Sequence, residues 1–67
     1  MTFFEFWLEN VDKAFIALVG VDRDSWPDQD YVNMFEEGYM PEQAVALAVE
    51  NEYGQAGLDA FHLEAAY

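Results

Sequence analysis

Cysteine is absent from these 67 residues, and basic side chains nearly so: Lys13 and Arg23 stand against fourteen aspartates and glutamates. Without cysteine there is no disulfide framework, and His62, the only histidine, cannot by itself make a structural zinc site. The formal net charge of −12 repels nucleic acid and anionic membrane alike, so direct binding to either is not expected. Strand-like alternation, internal repeats and low-complexity segments are also missing. No basic region precedes the apolar N-terminal stretch, which is interrupted by Glu5, Glu9 and Asp12. The reading is therefore no signal peptide, no membrane span and a cytoplasmic location in a host cell.

What is there is apolar and aromatic. Hydrophobic residues make up 54% of the chain, with six Phe, four Tyr and two Trp, far too many for a disordered acidic tail. A single domain over 1–67 is expected, near the lower size limit for folding without staples. An aromatic-rich core, in which each ring buries about 150–250 Å², is the expected compensation.

The segment "TFFEFWLENVDKAFIALVG" opens with Thr2 and Glu5 at capping-box spacing. Phe4, Trp7, Leu8, Val11, Phe15 and Leu18 follow at helical spacing, and Gly20 ends the run. The spacing predicts a helix over Phe3 to Val19. Phe3, Phe6 and Ile16 lie off its main stripe. Either neighbouring segments wrap the helix on several sides, or this face is a partner surface, including a homodimer through the first helix.

Next comes "VDRDSWPDQD". Asp22 is placed to cap one helical turn, and Pro27 keeps Trp26 out of the helical region. Asp22, Asp24, Asp28 and Asp30 suggest a calcium loop. The pattern fails, however, because Trp26 and Pro27 occupy the third ligand and glycine positions, and Asn33 the position of the bidentate glutamate. No metal is expected, and these acids read first as helix caps.

Asp28 is the predicted cap of a second helix, Gln29 to Glu37, ended by Gly38, with Tyr31, Met34 and Phe35 facing inward. A third helix starts at Pro41, buries Ala44, Val45, Leu47 and Ala48, and closes at Gly54. A fourth is expected from Leu58 to Ala66. The predicted fold class is all-α, a compact bundle of three to four short helices.

Chemistry finds little support. His62 has no nucleophile partner, and Ser25, the only serine, lies in the acidic turn with no base nearby in sequence. Among fourteen acids, some pair will fall at glycosidase spacing by chance. No phosphate loop is present. The expectation is no enzyme and no cofactor.

From Phe6 to Glu52 the chain resembles a group of short acidic helical proteins of phages and other mobile elements. The likeness is carried by Trp7, Val11, Gly20, Pro27, Asp28, Tyr31, Phe35, Gly38, Pro41 and Ala44. The group has no assigned activity to carry over. It differs in one respect: those proteins have Ser or Thr as a cap before the second proline, where this chain has Met40. A looser similarity to ubiquitin-associated three-helix modules spans "MFEEGYMPEQAVALA".

Two functions fit. The first is a small acidic inhibitor that mimics nucleic acid and occupies a basic nucleic-acid-binding surface of a host defence complex, as anti-CRISPR and anti-restriction proteins do. The partner would be a CRISPR effector or another nucleic-acid-binding protein. Its contacts would be Asp22, Asp24, Asp28, Asp30, Glu36, Glu37 and Glu42, with Trp26 and Tyr39 as anchors. The alternative is a helical protein–protein interaction module whose apolar contact is made by Phe3, Phe6, Tyr39 and Met40.

Overall fold

In the computed structural model, which describes residues 1–64, three α-helices and one 3-10 turn follow in order. Helix α1 covers Phe3–Leu18, the 3-10 turn Arg23–Ser25, α2 Tyr31–Glu36 and α3 Pro41–Ala60. No strand occurs among the described residues, as expected of an all-α bundle.

The start of α1 is the predicted capping box: Glu5 N–H donates to Thr2 Oγ1 at 3.1 Å, and Thr2 N–H donates back to Glu5 Oε1 at 3.4 Å. Its end is also as expected, at Gly20 with φ 91°. Helix α2 is shorter than the predicted Gln29 to Glu37, and Asp30 rather than Asp28 caps it, accepting from Asn33 N–H at 3.2 Å. Gln29, left outside the helix, donates from its side chain to the Pro27 carbonyl and to Glu52, both at 3.0 Å, and accepts from Asn51 at 2.9 Å, which ties this loop to α3.

Helix α3 lies at the centre. Ala44, Val45, Ala48 and Val49 are fully buried, and Ala46 nearly so. Small side chains on several sides let α1 approach closely, and α1 against α3 is the principal packing. Val11, Ala14 and Phe15 come from α1, Tyr31 and Met34 from α2. The rings mostly surround this small aliphatic centre rather than fill it. Phe4 and Trp7 meet Phe35 at 5.3 and 5.5 Å, while Trp26 meets Phe15 at 5.9 Å. The expected aromatic core is present in part: Phe15 and Tyr31 are buried within it, and other rings form a collar around it.

The first turn of α3 lacks a Ser or Thr cap, and two other bonds hold the loop before it. Gln43 Oε1 accepts from Met40 N–H at 2.8 Å, and the Trp7 indole donates to the Tyr39 carbonyl at 2.8 Å. Gly54 closes the helix that begins at Pro41, as expected: its φ of 66° and ψ of −156° fall in a region essentially reserved for glycine, so Pro41–Ala60 is two helical segments joined across a kink. The predicted fourth helix is the segment after that kink, which contains Leu58 and stops at Ala60. His62 takes φ 58°, with its N–H on the Asp59 carbonyl, while Leu63 N–H bonds the Leu58 carbonyl at 2.8 Å. This closes the last turn in the geometry usually made with glycine. The predicted extension through Ala65 and Ala66 lies outside the described residues.

One buried polar group is left over. The Tyr31 hydroxyl has no hydrogen-bond partner among the described residues. Burial is the main cause that pushes its pKa from 10.0 to about 12; the Arg23 guanidinium lowers it, and Asp28 and Asp12 add to the rise. An unpaired buried hydroxyl costs about 1–3 kcal/mol, so Tyr31→Phe is expected to stabilise the fold by about 1 kcal/mol, measured as a higher Tm. The folded state favours the neutral phenol. The native protein should therefore lose stability as pH rises from 10.0 through about 12, more steeply than the variant.

Candidate partner-binding surface

All seven carboxylates expected to meet a partner are exposed: Asp22, Asp24, Asp28, Asp30, Glu36, Glu37 and Glu42. They follow the chain over the loop after α1, the end of α2 and the first turn of α3. Two of them have structural work. Asp22 Oδ1 accepts from Ser25 N–H at 3.0 Å, and Asp30 Oδ1 accepts from Asn33 N–H at 3.2 Å. Each cap uses one oxygen and leaves the other outward. Asp24, Asp28, Glu36, Glu37 and Glu42 make no hydrogen bond or ion pair among the described residues.

The cations do not offset this charge. Arg23 is turned inward: its Nε donates to Asp12 Oδ1 at 3.1 Å, and its guanidinium lies 5.6 Å from the centre of the Tyr31 ring. That leaves Lys13, exposed on α1, as the other basic side chain.

Position matters as well as number. Glu36 ends α2 and Glu37 is its C-cap, at the end where the helix dipole favours a cation. No basic residue stands in the last turn of α1, α2 or α3. Glu42, in the first turn of α3, is the favourable counterexample.

The two expected anchors are tied into the fold. Trp26 is half-buried, and its indole donates to the Ala48 carbonyl at 3.3 Å. Tyr39 is half-buried beside Trp7, whose bond to its carbonyl closes the loop. Trp26 nevertheless keeps a free edge, which forms one wall of an apolar cleft completed by Tyr53, Ala56, Gly57, Ala60 and Phe61. Composition gave no sign of this cleft, because its walls are 27 residues apart in the chain and meet only after folding.

The apolar face of α1 is bare rather than wrapped. Phe3 is 88% exposed, Phe6 59% and Ile16 58%, and none of the described residues covers them. Among the described residues, no helix is long and apolar enough to cross a membrane, and no group of three or more His, Asp or Glu is placed to hold a metal ion. Comparison with protein-family models, curated proteins and solved structures yields no match.

Proposed function

We propose that this protein is a small acidic inhibitor, occupying a basic nucleic-acid-binding surface of another macromolecule in the manner of a nucleic-acid mimic. The supporting observation is the set of five exposed carboxylates with no hydrogen bond or ion pair among the described residues, together with the inward turn of Arg23. Of these acids only Glu42 is favourably placed by a helix dipole; Glu36 and Glu37 sit at the wrong end of one, and their mutual repulsion costs stability. Arg and Lys of a partner supply the missing charge through charge-assisted hydrogen bonds. The resemblance to proteins of phages and mobile elements supports a target among host defence complexes, such as a CRISPR effector, in the host cytoplasm. The role requires no catalysis and no cofactor.

The test is capture of partners from a bacterial lysate, followed by charge removal. Basic nucleic-acid-binding proteins are the expected catch. Exposed ion pairs contribute about 0.2–1 kcal/mol each, so Asp24→Asn, Asp28→Asn, Glu36→Gln and Glu37→Gln combined should weaken the complex roughly tenfold or more. Helicity should persist, because the caps Asp22 and Asp30 are untouched. Capture of acidic or membrane proteins alone would refute the reading.

A second reading is favoured by the bare α1 face. Met1, Thr2, Phe3 and Phe6 line an open apolar hollow at its start. An interaction module using this face, either with a different protein or as a homodimer, would bind with little dependence on salt.

A further inference from the structure

The cleft beside Trp26 has a definite construction. Its floor is made of Ala56, Gly57 and Ala60, and its walls are the rings of Trp26, Tyr53 and Phe61, enclosing about 380 Å³. Trp26 and Tyr53 stand at 68° to one another with centroids 5.6 Å apart, so an entering group meets one ring by its face and another by its edge. Gly57 keeps the floor low: a Cβ there would lie 2.6 Å from Tyr53 Cβ and 3.0 Å from Val49 Cγ1. The Gly54 break re-aims the last part of α3 and brings Phe61 to the same cleft as Tyr53.

The lining is apolar, but exposed acids adjoin it along the chain. Asp24 and Asp28 lie two residues to either side of Trp26, Glu52 precedes Tyr53 and Asp59 precedes Ala60, while Glu52 and Asp59 also accept from Gln29 and Gln55. The geometry points to a cationic occupant: we infer that this cleft receives an arginine side chain of a basic partner, its guanidinium held against the rings and its charge drawn by the surrounding carboxylates. An aromatic face attracts a cation through its quadrupole, and the planar guanidinium also stacks, so arginine uses both properties of the site. An aliphatic side chain would gain only from the rings. A second copy of this chain would bring another −12 of like charge to the same place. The inference rests on the basic-partner reading above and gives it a specific point of contact.

The ¹⁵N-labelled full chain carries two indole N–H signals, and Trp7, away from the cleft, is the internal control. Three short peptides serve as probes: glycine alternating with arginine, with citrulline, or with leucine. The arginine peptide is expected to move the Trp26 signal saturably and leave Trp7 in place, with citrulline and leucine peptides at least several-fold weaker. Tyr53→Leu, at an exposed position, should weaken arginine-peptide binding roughly three- to five-fold, and Phe61→Leu provides a second, independent variant. Equal binding of the citrulline or leucine peptide would overturn the cationic occupant. Binding of the arginine peptide with Trp26 unmoved, or with both variants unaffected, would overturn the cleft while leaving the acidic surface as the contact. No binding of the arginine peptide at all would remove the basic-partner reading together with this one.

Discussion

Phe15→Ala is expected to leave the chain largely unfolded at 37 °C. Phe15 is fully buried, and it joins α1 to both the core and the Trp26 ring. Truncating a buried phenylalanine costs about 3–5 kcal/mol through lost burial and the cavity left behind. A chain of 67 residues has, at about 0.05–0.15 kcal/mol per residue, only about 3–10 kcal/mol to lose. No disulfide limits the unfolded ensemble, and self-repulsion at −12 draws on the same margin. Circular dichroism against temperature should show Tm falling by at least roughly 12 °C, since about 1 kcal/mol corresponds to 4–8 °C at this size. Added salt should restore part of the loss by screening the acids. A fall of only a few degrees would mean that the collar of rings collapses into the cavity.

The second large effect concerns binding. Raising sodium chloride from about 50 to 500 mM shortens the Debye length from over 10 Å to under 5 Å, which should weaken the complex with a captured basic partner roughly ten- to a hundred-fold. Most of the change belongs in the association rate, because the field of fourteen acids steers encounter before any contact forms. Stopped-flow or surface-capture kinetics at several salt concentrations separate the two rates. A complex indifferent to salt would instead assign the contact to Phe3 and Phe6 on the bare face of α1.

Features decided within a few residues were legible from the chain. Thr2 and Glu5 cap α1 as their spacing requires, Asp22 caps the 3-10 turn, and Pro41 begins α3. Gly20 and Gly38 end the first two helices with φ of 91° and 83°. The outward stance of the seven carboxylates was equally legible, because a charged side chain stays in water unless something pairs with it.

Features decided across long separations were not. Asp28 and Asp30 compete for one helix start; Asp30 takes it, and Gln29, left outside the helix, reaches Glu52 and Asn51, over twenty residues away. Gly54 reads locally as a helix end and is one, yet the next helical segment starts ahead of the predicted Leu58 and stops at Ala60, with Leu58 packed into the core. Whether Phe3 and Phe6 are wrapped or bare could not be chosen from the sequence, because nothing in their own neighbourhood says which distant segment packs there.

The amino-acid order by itself determined the all-α class, the helix punctuation and a surplus of acid with no internal counter-charge. Those follow from hydrogen bonds and dihedral preferences within one turn, and from a count of charges. Only the tertiary structure decided that Arg23 turns inward onto Asp12 and Tyr31, that α1 keeps a bare aromatic face, and that Trp26, Tyr53 and Phe61 converge on one cleft. These depend on which distant surfaces are buried together, and burial is a property of the whole packed chain.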